Sequence, residues 1–191
     1  MTDLPERLPP LALEAMSAAQ RAAADELIAG PRKAVKGPFI ALLRSPELLA
    51  RLQKVGEYLR FGSVLPARLS EFATLVVSRK CSQQFEWAVH VPLALKAGTS
   101  SETVSALAEA RRPPAMDDDE ALVHAFCTEL LAHHGVADTT YHDVRQRLGE
   151  QGVVELTSLV GYFVLMSMVL NVARTPAEPG SGVAPLVPLP R

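Results

Sequence analysis

Gln83-Gln84-Phe85-Glu86-Trp87-Ala88-Val89-His90 is the stretch on which the reading of this chain turns. Read as a helix, it puts Gln83, Glu86 and His90 at i, i+3 and i+7, on one face. A carboxylate and an imidazole sharing a face of an otherwise apolar helix form a proton-handling pair, because imidazole exchanges protons near neutral pH. The only tryptophan of the chain, Trp87, lies between them. Glu71 stands twelve residues before Gln83. Arg79 and Lys80 precede the motif, and a guanidinium there could grip a substrate carboxylate with a bidentate fork.

Helix signals extend outward from the motif in both directions. Ser17-Ala18-Ala19-Gln20 has the form of a capping box, and Gly30-Pro31 stops the helix it opens. Gly37-Pro38-Phe39 turns into a short apolar segment. Ser45-Pro46-Glu47 opens a second long helix whose apolar face runs through Leu48, Leu49, Leu52, Val55 and Leu59, before Gly62-Ser63. A third helix spans about 66–77. The motif helix runs from about Ser82 to Ala97, with Gly98 as its stop and Pro92 as an expected kink. Thr99-Ser100-Ser101-Glu102 reads as another capping box, for a helix through Ala110. Asp117 to Glu120 load the start of a helix reaching about His134 with negative charge. Asp138 or Thr139 caps a shorter helix to Leu148, and an apolar helix occupies about 150–173. No stretch alternates apolar and polar residues long enough to make a strand. The expectation is an all-α chain of one domain over residues 1–174, followed by a Pro-rich tail, 175–191, that is extended, flexible or laid across a neighbouring subunit.

The 191 residues are 48% hydrophobic and 21% charged, with net charge −2 and only 5% aromatics. That balance excludes a disordered chain and lacks the basic stripe of a nucleic-acid binder. Cys81 and Cys127 form no C-x-x-C, and the start of the chain has no basic region leading into an apolar run, so a reduced, cytoplasmic protein is expected. From Leu156 to Ala173 no residue is charged. This stretch is at the short end for a membrane span and contains Thr157, Ser158, Gly161, Ser167 and Asn171, so a buried helix is expected rather than a membrane contact. The spacing of His124, His133, His134 and His142 does not suit a metal site, and no metal or other cofactor is expected. There is no glycine-rich phosphate loop and no G-x-S-x-G elbow.

Glu71, Gln83, Glu86 and His90, with their spacing, resemble the core pattern of the carboxymuconolactone decarboxylase and alkyl hydroperoxidase D-like superfamily. Gly37-Pro38-Phe39, Ser45-Pro46-Glu47-Leu48, Phe85-Glu86-Trp87, the run from Ala94 to Gly98 and the segment from Gly161-Tyr162 to Asn171 add to the likeness, which covers about residues 35–174. The resemblance implies an alkyl hydroperoxidase D-like helical bundle that assembles as a homo-oligomer, trimer or hexamer, with its site beside the motif helix near a subunit interface. In the peroxidase branch a Cys-x-x-Cys stands where this chain has Gln83 and Glu86. Thiol peroxidation needs a thiolate and a resolving thiol. Cys81 is offset from Gln83 by about 200° on a helix, roughly the opposite face. The resemblance therefore points to the decarboxylase-like branch, a lyase acting on a small carboxylated lactone or related acid. His90, Glu86 and Glu71 would be its catalytic groups, and Gln83 and Arg79 would bind substrate. A peroxidase-like activity through Cys81 and a noncatalytic oligomeric binding protein are the alternatives.

Overall fold

The computed structural model describes residues 5–177 and 182–186, and helices are its only regular elements. They are α1 (Ala18–Ala29), α2 (Pro38–Leu42), α3 (Pro46–Phe61), α4 (Ala67–Lys80), α5 (Gln84–Ala97), α6 (Ser101–Ala108), α7 (Asp118–His133) and α8 (Asp138–Ala173), with a short 3-10 turn at Leu13–Ala15. The expected absence of a signal segment rests partly on Met1 to Leu4, and the tail expectation partly on Pro179, Pro188 and Pro190; all of these lie outside the described residues.

Local chemistry accounts for most of the boundaries. Ser17 and Gln20 close the expected capping box: the Gln20 backbone N–H donates to Ser17 Oγ at 3.2 Å, and the Ser17 N–H donates to Gln20 Oε1 at 2.8 Å. Asp117 caps α7 by accepting from the Glu120 N–H at 2.8 Å. Several boundaries differ from expectation: α4 runs on to Lys80, past the expected 77, and α5 begins at Gln84 rather than Ser82. Ser100, not Thr99, caps α6. That helix ends at Ala108, because Ala110 takes a left-handed conformation at φ 56°. Ala137 occupies the cap position of α8, and Glu129 accepts its N–H at 2.8 Å. Gly149, at φ 73° and ψ 173°, interrupts α8 between the shorter and the apolar helix read from the sequence. α5 continues through Pro92.

α4 is the central helix. It packs against α5, α6, α7 and α8, and Phe72, Ala73, Thr74, Leu75, Val76, Val77 and Ser78 are all buried. Thr74 and Ser78 satisfy their hydroxyls by donating to the carbonyls one turn back, Ser70 O and Thr74 O, at 2.8 and 2.7 Å. α8 lies along α2, α3, α4 and α7. It is long and apolar enough to cross a membrane by length and composition, yet 56% of its most apolar window is buried inside the fold. Leu156, Leu159, Met166 and Leu170 face the core, whereas Val154, Met168 and Val172 are exposed.

Part of the tail returns to its own chain. Leu186 is 3% exposed and belongs to the core. The Gln84 side-chain amide holds its backbone from both sides, donating to Leu186 O at 2.8 Å and accepting from Leu186 N at 2.9 Å. Burial of the leucine and two hydrogen bonds offset the entropy of ordering this segment.

Candidate functional site

The turn between α4 and α5 aims the motif. Ser82 adopts φ 48°, and Gln83 then caps α5: its Oε1 accepts from the backbone N–H groups of Phe85 at 2.5 Å and Glu86 at 3.3 Å. Its Nε2 donates to Asn171 Oδ1 at 3.1 Å, and Asn171 Nδ2 donates to Cys81 O at 3.1 Å. Asn171 thus ties the end of α8 to the turn. Gln83, expected to bind substrate, is placed by the structure at the cap of α5. With the helix beginning at Gln84, Gln83 lies outside it, and its amide is consumed by capping and by Asn171.

Glu86 and His90, one turn apart on α5, are 4% and 2% exposed. His90 lies between two carboxylates. Its Nδ1 is 2.5 Å from Glu71 Oε2, contributed by α4, and its Nε2 is 3.3 Å from Glu86 Oε2. The Phe163 ring of α8 meets the imidazole edge-on, with centroids 5.0 Å apart. Burial works against the charged imidazole, but hydrogen bonds and attraction from Glu71 and Glu86 outweigh it and raise the His90 pKa above its ordinary value. A histidine in this setting holds a proton readily and keeps a fixed orientation.

Glu86 and His90 line a cavity of about 400 Å³. Glu71 is not part of that wall and supports His90 from behind. The same cavity is lined by groups that the sequence did not mark as site residues: Arg32, Lys36, Arg60 and Tyr162. Arg32 stacks over Phe39, its guanidinium carbon 4.6 Å from the ring centre. Arg32 Nε and Nη2, Arg60 Nε and the Tyr162 hydroxyl are buried without a hydrogen-bond partner among the described residues. Orphaned buried donors carry a free-energy penalty that an incoming acceptor relieves. Burial foremost, with repulsion from Arg60, holds the Arg32 guanidinium below its ordinary pKa, although Tyr162 and Glu86 oppose this. Burial pushes Tyr162 up to about 12, so at neutral pH its hydroxyl carries a proton and can donate it to a hydrogen bond.

Gly56 in the middle of α3 makes this approach possible. A Cβ built there would meet the Tyr162 hydroxyl and Arg32 Nη2, the latter at 2.7 Å. A glycine inside a helical pattern signals a close approach and was the legible hint to this half of the site. Tyr162, a polar tip inside the uncharged helix, was a second. Arg32 and Arg60 carry no local signal, since each follows a helix or ends one.

Arg79 is placed elsewhere. It was expected to bind substrate; it sits at the last turn of α4 and lines a different cavity, with Lys80, Arg112 and His124. Cys81 is partly buried and Cys127 fully so, and both are free thiols. Burial raises the Cys81 thiol pKa against smaller opposing effects of Ser167 and Lys80, and takes Cys127 to about 12. Among the described residues no three His, Cys, Asp or Glu side chains gather in a group that could hold a metal ion.

Residues 46–126 match the model of the family described as the Carboxymuconolactone decarboxylase family. The matched segment contains Glu71, Glu86 and His90 but neither Arg32 nor Tyr162. No curated protein matches the chain.

Proposed function

We propose that this chain, which belongs to the carboxymuconolactone decarboxylase and alkyl hydroperoxidase D-like superfamily through residues 46–126, is a cofactor-independent carboxy-lyase acting on a small carboxylated lactone or related acid. The observation that carries the reading is His90 held between Glu71 and Glu86 in a cavity also lined by Arg32, Arg60 and Tyr162, whose donors are unpartnered among the described residues. As the carboxylate leaves as carbon dioxide, the electron pair of the broken carbon–carbon bond moves into the conjugated lactone carbonyl. Negative charge develops on that oxygen. The Tyr162 hydroxyl and the nearby guanidinium groups are donors for it, and a guanidinium also suits a carboxylate that stays on the substrate. Protonated His90 then delivers a proton to carbon from Nε2, the nitrogen beside Glu86. Glu71 at Nδ1 sets the ring's orientation and stabilises its charged form. Solvent restores the proton. Conjugation within the substrate supplies the electron sink.

The same reading takes the protein as a cytoplasmic homo-oligomer, trimer or hexamer. The exposed apolar side chains of α8, Val154, Leu165, Met168 and Val172, are surface that such an assembly would cover. Light scattering on the purified protein measures the state directly.

The functional test is carbon dioxide release from 4-carboxymuconolactone and a panel of related carboxylated lactones, by wild type and by His90→Gln. Release by wild type and its loss in a folded His90→Gln protein are the expected results. Unaltered turnover in that variant overturns the role of His90. Tight binding without turnover across the panel makes the protein a noncatalytic binder.

A further inference from the structure

A second cavity, of about 380 Å³, lies between the end of α4, the turn after α6 and the middle of α7. It shares no lining residue with the His90 cavity. Its floor is apolar, made by Val76, Leu107 and Leu131. Its polar wall is Arg79, Lys80, Arg111, Arg112, His124 and Thr128, and among the described residues no Asp or Glu lines it. This clustering stands out in a chain whose acids outnumber its bases, 21 to 19.

The backbone builds the arrangement. Ala110 turns into the left-handed region at φ 56°, and the Arg111 N–H donates back to Ala106 O at 2.9 Å. This fold-back at the end of α6 delivers Arg111 and Arg112 to the cavity that Lys80 reaches from α4. Glu109 pairs with Arg111 at 2.6 Å, so Arg111 is partly neutralised at the rim. No carboxylate is paired with Lys80 or Arg112 among the described ion pairs. Burial foremost, with repulsion from Arg112, lowers the His124 pKa and keeps that imidazole neutral more readily than usual. A neutral imidazole and the Thr128 hydroxyl add hydrogen-bonding groups beside fixed positive charge.

We propose that this cavity binds a phosphate monoester with a small apolar body, the phosphate between Lys80, Arg112 and His124 and the body on Val76, Leu107 and Leu131. A dianion matches several fixed cations better than a single carboxylate does, and tetrahedral oxygens use hydroxyl, imidazole and guanidinium donors together. The apolar floor favours an organic ester over inorganic phosphate. The site is independent of the reaction at His90.

Phenyl phosphate, inorganic phosphate and benzoate are the probes. Calorimetry on the full chain measures affinity, and NMR of the imidazoles reports location. Phenyl phosphate should bind more tightly than either other probe, shift the His124 resonances and leave those of His90 in place. Arg112→Gln and Lys80→Gln should each weaken it by roughly 10–100-fold. Both side chains are exposed, so the variants should fold; a far-UV spectrum and melting curve matching wild type check this. Absence of binding, binding insensitive to both substitutions, or shifts at His90 instead of His124 overturns the proposal. Equal binding of inorganic phosphate removes the organic body from it.

Discussion

Glu71 Oε2 on α4 and His90 Nδ1 on α5 approach to 2.5 Å, across a helix pair in which the imidazole is 2% exposed. Because the folded pKa of His90 is raised, the contribution of this contact to stability has a definite sign. It is fully present below the unfolded histidine value, about 6.5, and is lost as pH rises through the folded value. Denaturant unfolding at a series of pH values should therefore show this contribution shrinking upward from about pH 6.5. Glu71→Gln should lower the His90 titration midpoint read by NMR, flatten that pH dependence and cost about 1.5–3 kcal/mol at low pH. An unchanged midpoint would contradict the ion pair.

Gly56→Ala should be destabilising by about 1–3 kcal/mol, because the added methyl collides with Tyr162 and Arg32. Gly161 on the exposed side of α8 has nothing within 4 Å of a built Cβ. Gly161→Ala should therefore be neutral to stabilising, by up to about 1 kcal/mol. Melting curves of the two variants compare them directly; equal effects would mean that Tyr162 does not pack against α3 as described.

Arg32→Gln and Arg60→Gln should each weaken a dicarboxylate such as cis,cis-muconate by roughly 10–100-fold, measured by calorimetry. Neither guanidinium has an ion-pair partner among the described residues, so the cost to stability should be limited to its stacking on Phe39 or Phe61, about 0.5–1 kcal/mol. Affinity unchanged in both variants would move the anion site away from this cavity.

Leu186→Ala should cost about 2–5 kcal/mol in chemical denaturation, as expected for a buried leucine, even though it lies in a segment without regular structure. Gln84→Ala removes two hydrogen bonds to the Leu186 backbone and should cost about 1–3 kcal/mol. A melt unaffected by either change would mean that the segment does not dock in solution.

Peroxide should consume neither thiol quickly. Burial raises both thiols, and thiolate is the reactive form. Thiol titration of the folded protein at pH 7 during peroxide exposure should recover Cys81 and Cys127. Rapid loss of Cys81 would restore a redox role for this chain.

The helices of this protein were written locally. Capping at Ser17 and Asp117, Pro46 at a first turn and Gly98 at a C-terminus act within a few residues, so their effect is legible without the fold. The pairing of Glu86 with His90 was legible for the same reason, since a helix brings i and i+4 together. Glu71 was reached through the family pattern, and its contact with His90 depends on how α4 packs on α5. What only the tertiary structure decided is the other half of the cavity. Arg32, Arg60 and Tyr162 come from three separate segments, and no spacing rule relates them. They converge because Gly56 leaves room and because α3 packs on α8, whose Phe163 meets His90. The same reasoning separates Gln83 and Arg79 from the site. Their residue types suited substrate binding, but the turn after α4 made one a cap and the packing of α6 and α7 placed the other in a second cavity. Local sequence determines secondary structure through short-range sterics and hydrogen bonds; a binding site is a meeting of distant segments, and only packing makes that meeting.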